Sequence, residues 1–187
     1  MNRPELKDTA FLNALAVRVH ILNQKWWLDI RTGEPIMRDP DELLMLIVSE
    51  LSEALEGHRK NLMDDKLPHR KMIEVEMADA YIRIADFAGG FNLPIVQWEL
   101  PSSAPSRVPA ALFWLTETVV SLGSVIAGMG LIPRIGFYIG HLMAEIECFC
   151  HQFDLDLFGA IEEKLEYNRM RMDHSHEHRL SENGKKY

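Results

Sequence analysis

Residues 39–60 read DPDELLMLIVSELSEALEGHRK and residues 72–90 read MIEVEMADAYIRIADFAGG, and these two stretches decide the fold. In the first, Asp39 is placed to cap a helix, Pro40 takes the first helical position and Glu42 completes a capping box. From Leu43 to Lys60 the apolar residues keep the helical period: at about 100° per residue, Leu43, Ile47, Leu51 and Ala54 share one quadrant. Glu50 falls inside that face, Glu53 lies on its flank beside Leu46, and Glu56 points well away. In the second stretch Ile73, Met77, Ala80, Ile84 and Phe87 line an inner face. Glu76, Asp79, Arg83 and Asp86 run beside it as a charged stripe, and Gly89-Gly90 ends the helix. The connector Asn61–Arg70 is polar, carries one proline and is short enough to return the chain antiparallel.

Residues three apart on a helix are neighbours, with Cβ atoms ~5–6 Å apart. Packed helices lie ~8–10 Å axis to axis. Glu50, Glu53, Glu76 and Asp79 can therefore offer their oxygens to one or two ions between the helices. Burying such acids together without a cation is strongly disfavoured. Magnesium, which takes oxygen ligands and bridges carboxylates to phosphates, relieves that repulsion and suits a phosphate substrate. The plainer reading of the same residues is a pair of charged helix faces balanced by Arg59, Lys60 and Arg83. The place of Glu50 within the apolar face favours the metal.

The rest of the chain reads as helices, without strand-like alternation or internal repeat. A first helix spans Pro4 to Ile30, with Trp26 and Trp27 at its end and a breaker-rich turn at Arg31–Pro35. Residues 99–109 form a loop. Apolar helices at 110–129 and 134–153 follow, parted by Gly130 and Pro133. A last helix starts at Asp154 or Asp156, runs through Tyr167 and frays into a tail holding His174, His176 and His178. That tail reads as solvated, with adventitious transition-metal binding as the alternative. The expected fold class is an all-α bundle of five to six helices with a carboxylate metal site between two antiparallel helices. One domain covers 1–187, and 99–153 is an elaboration on it.

Composition narrows the functions. A length of 187 residues with 47% hydrophobic content fits one domain with a sizeable core. The net charge of -8 argues against a nucleic-acid polymer as partner. Cys148 and Cys150 diverge around a helix and fit a reduced, cytoplasmic protein. The N-terminal stretch lacks the uninterrupted apolar run of a signal peptide. Residues 110–132 are long enough to cross a membrane, but Glu117, Thr116, Thr118, Ser121 and Ser124 interrupt them. We therefore expect no membrane, and a buried or subunit-interface helix in a homodimer or homotetramer.

The elements WWLDIRTGEPI, ELLMLIVSELSEALEGHRKNLMDDKLPHR, EVEMADAYIRIADFAG, EKLEYNRMRMDH and the terminal GKKY together resemble the all-α nucleoside triphosphate pyrophosphohydrolase superfamily. The resemblance is to its MazG-like members of phages and bacteria, over Trp26–Phe91 and Asp156–Tyr187. It implies cleavage of a nucleoside triphosphate between the α and β phosphates, releasing the monophosphate and pyrophosphate. Metal ligands would be Glu50, Glu53, Glu76 and Asp79, holding Mg2+ with Mn2+ able to substitute, and Glu50 or Glu53 would activate water, Glu50 being preferred for its depth. Many members carry a further acid directly before the first of these glutamates; here that position is Ser49. Lys164, Asn168 and Arg171, spaced four and three apart, look like a clamp for phosphates and sugar. Trp27, with Trp26, stands where it could stack on a base, core packing being the commoner use of tryptophans at a helix end. The active site would be completed across subunits, with Lys164 or Arg171 beside another chain's acids. Purine deoxynucleotides, dGTP or dATP, are the leading substrates, with dUTP or noncanonical nucleotides as alternatives. From another class, a non-catalytic helical interaction protein would use 110–153 for docking. A di-iron carboxylate bundle would need Glu-x-x-His motifs, which this chain lacks.

Overall fold

A computed structural model describes residues 7–96, 103–128, 131–171 and 179–180. These form six α-helices: α1 Thr9–Asn23, α2 Pro40–Lys60, α3 Met72–Gly90, α4 Val108–Ala127, α5 Ile132–Gln152 and α6 Leu157–Met170. Among the described residues there is no β-strand, only two isolated bridges. The all-α bundle read from the sequence is the fold.

The pair α2 and α3 begins as its sequence dictates. Asp39 accepts a hydrogen bond from the Asp41 amide, and Pro40 stands in the first turn. Asn61 closes α2 in the left-handed conformation (φ 50°), a position asparagine tolerates. The connector then folds on itself: Asp64 is buried and its carboxylate accepts from the Lys66 and Leu67 amides, while Met72 N–H donates to Leu62 C=O. That reversal sends α3 back along α2.

The centre of the bundle is α3, which packs against α1, α2, α5 and α6. Val75, Met77, Ala78, Ala80 and Tyr81 are fully buried, and small residues among them let the neighbours approach closely. α2 also packs on α4 and α4 on α5, with a smaller contact between α1 and α6, so the late apolar helices extend the core that α2 and α3 begin. Within α4 the window long and apolar enough to cross a membrane is 39% buried in the bundle. Phe113 and Val120 on α4, and Leu131 and Ile132 at the start of α5, stand exposed.

Several boundaries differ from expectation. The first helix ends at Asn23 rather than Ile30, and Gln24–Trp27 form a short 3₁₀ turn. Its proposed start at Pro4 lies outside the described residues; the helix is capped at Asp8, which accepts from the Phe11 amide. Tertiary contacts override the helical period here, because Trp27 turns inward onto α3. Its indole N–H donates to Asp86 at 3.2 Å, and its ring meets His20 and Phe91 edge to face. Pro133 sits in the first turn of α5 rather than between helices, where its missing N–H costs nothing. Asp156, not Asp154, caps α6. The His-rich tail residues His174, His176 and His178 lie outside the described residues.

Gly90 is what lets Trp27 lie against α3. A Cβ at that position would fall 2.1 Å from the indole ring. We expect Gly90→Ala to lower unfolding stability by about 1–3 kcal/mol, the usual cost of overpacking, as read by urea denaturation. An unchanged midpoint would mean that the indole can shift at no cost.

Candidate metal centre

Glu50 on α2 and Glu76 and Asp79 on α3 converge where the two helices face each other. One carboxylate oxygen from each lies within 4.8 Å of the other two. Glu50 and Glu76 are each 5% exposed, and Asp79 is partly buried. Glu53, one turn further along α2, is exposed and stands outside this group. Three of the four acids read from the sequence are therefore brought together. Ser49 turns its hydroxyl back to Leu46 C=O at 2.8 Å, bonding its own helix.

The charges of the cluster are partly balanced from within the chain. The Arg83 guanidinium lies 2.5 Å from Glu50, and the Lys164 ammonium reaches Asp79 at 2.7 Å. Lys164 is 5% exposed, so it is a buried counterion rather than the solvated basic turn that its place near a helix end allows. It comes from the same chain as Asp79, and that pair needs no second subunit. Of the cations weighed against the acids in the sequence, Arg83 takes this part, whereas Arg59 and Lys60 pair with Glu56.

Burial pushes the Glu76 carboxyl up to about 9, helped by the charge of Asp79 and by a hydrogen bond and charge from Glu50. Burial also raises Asp79 to about 6, against the downward pull of Lys164. Burial lowers the Lys164 ammonium, but the Asp79 carboxylate and the acids behind it outweigh this, and its net shift is upward. At neutral pH the centre thus holds a proton on Glu76 that it would shed to a stronger cation.

The donor set fits a hard divalent ion. Magnesium takes oxygen at about 2.1 Å, so opposite ligands of its octahedron stand about 4.2 Å apart. The three oxygens, within 4.8 Å of one another, are close enough to share such an ion. All three donors are carboxylates, the ligand type of magnesium, manganese or calcium rather than of a soft metal.

A cleft of about 760 Å3, part of it open to solvent, adjoins the acids. Asp79, Arg83, Lys164, Asn168 and Arg171 line it, so the three residues spaced along the end of α6 share a cleft with one of the acids. The Asn168 Oδ1 is buried and has no hydrogen-bond partner. Such an acceptor is costly to leave unmet and is ready for a ligand's donor. Arg171 lies over the Tyr167 ring with its guanidinium carbon 5.6 Å from the centroid.

Trp27 does not line the cleft. It is 8% exposed and belongs to the core, while its neighbour Trp26 forms part of the cleft wall. Two further lining residues escaped the sequence reading: Arg38, buried at 4% exposure, and Asp86, buried at 8%. Arg38 directly precedes the cap of α2, where the residue that packs back onto the helix is ordinarily apolar, so its charge gave no signal of burial. Asp86 stood in the charged stripe of α3, and its engagement by Trp27 and His20 depends on where α1 ends.

The chain matches no protein-family model, no curated protein and no solved structure. The family resemblance accordingly rests on the quoted motifs.

Proposed function

We propose that the protein is a magnesium-dependent nucleotide pyrophosphohydrolase that splits a deoxynucleoside triphosphate, by preference a purine one, into monophosphate and pyrophosphate. The observation that carries this reading is the convergence of three acids with Lys164 and Arg83, beside a cleft that Asp79, Arg83 and Lys164 line. A purely structural ion-pair network would leave no reason for a third buried carboxylate. Glu76 is that third acid: Glu50 and Asp79 each have a cation within 2.7 Å, whereas Glu76 is held neutral by burial.

When bound at Glu50, Glu76 and Asp79, the magnesium ion supplies charge neutralisation for the phosphates and makes water more acidic. Glu50 orients the attacking water and accepts its proton. The water oxygen bonds to the α-phosphorus, and the bridging oxygen leaves with its electron pair on the β-phosphate as pyrophosphate. Lys164 and Arg171 hold phosphate oxygens, Lys164 as a point charge and Arg171 through its fork of donors. Asn168 Oδ1 accepts a hydrogen bond from the sugar. Glu53 stands at the rim of the cluster, a helical neighbour of Glu50, and contributes as an outer ligand.

The test is purified protein with magnesium and each of the common deoxynucleoside triphosphates, with pyrophosphate and monophosphate quantified. Release of both in equal amounts is the expected result. Orthophosphate instead of pyrophosphate, or no product with any nucleotide, would overturn the reading. We expect Glu50→Gln to lower turnover at least a hundredfold and Glu53→Gln to cost about tenfold less. If Glu53→Gln matched Glu50→Gln, Glu53 would be a full ligand and the centre would have four acids.

A further inference from the structure

We propose that Arg70 is a positioning residue: it ties the start of α6 to the start of α3 and so sets where Lys164 stands over Asp79. The role of Lys164 toward phosphate comes from the pyrophosphohydrolase reading, on which the inference rests.

Arg70 closes the connector between α2 and α3, and its side chain is 11% exposed. Nε and Nη2 donate to the two oxygens of Glu163 at 3.1 and 2.8 Å, the bidentate fork that arginine forms with a carboxylate. Nη2 also reaches Asp156 Oδ2 at 3.1 Å. Nη1 donates to Glu74 Oε1 at 2.6 Å and to the Asp156 carbonyl at 3.4 Å. These five hydrogen bonds match the five N–H groups of a guanidinium. Arg70 does not line the cleft. Its donors are committed within the chain, so it acts through what it holds.

Three elements meet on this one guanidinium. Glu74 lies in the first turn of α3, Asp156 caps α6, and Glu163 stands about two turns further along α6. The Asp156 amide donates to the other Glu74 oxygen at 2.9 Å, and His69 Nε2 lies 2.6 Å from Glu163. Hydrogen bonds from Arg70 and His69 hold the Glu163 carboxyl down at about 2, so it stays ionised. The first turn of α6 is bare where the guanidinium lies: a Cβ at Gly159 would fall 1.9 Å from Asp156 Oδ2 and 2.8 Å from Arg70 Nη2.

Glu163 and Lys164 are consecutive, about 100° apart around α6. The Arg70–Glu163 pair and the Lys164–Asp79 pair, the latter at 2.7 Å, therefore brace adjoining lines of one helix. On another line Glu162 pairs with Arg18 of α1, but both partners are at least half exposed and such a pair contributes little. Leu157, Ala160, Ile161 and Leu165 dock the helix by burial. That force is non-directional and fixes position along the axis less sharply than a bidentate pair. Lysine is a point charge on a flexible stem, so the accuracy of Lys164 comes from the helix that carries it. A misplacement of about 1 Å in such a group can cost on the order of a hundredfold in rate.

Arg70→Lys keeps the charge and loses the fork, so it alters geometry while leaving the field at the acids nearly as it was. Magnesium affinity by calorimetry at pH 8.5, and turnover, are measured for the wild type, Arg70→Lys, Lys164→Met and the double variant. Arg70→Lys should bind magnesium about threefold tighter, because a loosened Lys164 competes less for Asp79, and should lose about tenfold or more in turnover. In the Lys164→Met background the same substitution should move either quantity by no more than about twofold. An Arg70 that only stabilises the fold gives the same fold-loss of turnover in both backgrounds, and that result would overturn the proposal. Unchanged or weaker magnesium binding by Arg70→Lys would overturn it as well. Glu163→Gln, which leaves Arg70 its bonds to Glu74 and Asp156, should show the same signs at smaller size, so the test stands even if Arg70→Lys misfolds. A wild type that binds magnesium but cleaves no nucleotide sinks the pyrophosphohydrolase reading alone, and the magnesium comparison still decides the placement of Lys164 by Arg70. A wild type that binds no magnesium removes both.

Discussion

Glu76→Gln is expected to make the metal-free protein more stable at pH 8 while abolishing its response to magnesium. In the fold Glu76 titrates at about 9, against 4.5 for an ordinary glutamate. Between those values the unfolded chain has released a proton that the native state still holds. Stability contributed by this site therefore falls as pH rises from about 4.5 toward 9, by about 1.4 kcal/mol per unit while the mismatch lasts. At pH 8 the wild type gives up roughly 3–5 kcal/mol at this position as an upper figure. Glutamine copies the protonated acid, with one donor and one acceptor, and has no charge to desolvate. The substitution should thus be neutral near pH 5 and stabilising at pH 8, as measured by urea unfolding in a chelator. Adding magnesium should raise the wild-type midpoint by mass action and leave Glu76→Gln unmoved. Pyrophosphate release should drop about a thousandfold. A variant that is less stable than wild type at pH 8, or one that still gains stability from magnesium, would falsify the carboxylate centre.

The tension behind that prediction, three acids converging in a buried place, was legible in part from the sequence. The depth of Glu50 followed from Leu43, Ile47 and Leu51 sharing its face, because helical periodicity fixes direction about the axis. Glu76 proved as deeply buried as Glu50, though periodicity placed it on the flank of α3. The difference is that α3 is covered by four helices, and no single-helix pattern reports how many neighbours surround it. Glu53 lies on the flank of the apolar face of α2 and is exposed.

Non-local pairings were the least accessible. The stripe Lys164, Asn168 and Arg171 was visible as a spacing, but its partner Asp79 lies 85 residues away, and only the docking of α6 on α3 joins them. The choice between Trp26 and Trp27 turned on where α1 ends. Continuing the helix to Ile30 rotates both indoles away from their places, whereas the 3₁₀ turn sends Trp27 to Asp86 and Trp26 to the cleft. Local propensity decides that alternative weakly, and the close approach of the Trp27 ring that Gly90 permits decides it strongly.

Lys164→Met should separate the two duties of that residue, balancing Asp79 and holding phosphate. Removing one partner of a buried pair leaves the other uncompensated, at a cost of about 3–5 kcal/mol. Asp79 can escape that cost by taking a proton. Burial already holds Asp79 at about 6 with Lys164 present, and loss of the ammonium raises it further. The sign of the pH dependence follows. Near pH 6 the neutral acid is tolerated and the variant loses little; by pH 8.5 the unfolded state favours the ionised form and the loss approaches its full size. Magnesium should restore the variant more than the wild type, because at pH 8.5 the ion no longer competes with an ammonium 2.7 Å from Asp79. The apparent magnesium affinity, read by calorimetry, should therefore rise at pH 8.5. Turnover should fall a hundredfold or more, since the phosphates lose a buried point charge, which acts more strongly there than one in bulk water. Tighter metal with poorer catalysis is a combination that a merely structural lysine does not produce. A stability loss of equal size at both pH values, or weaker magnesium binding, would show that Lys164 and the ion do not share Asp79.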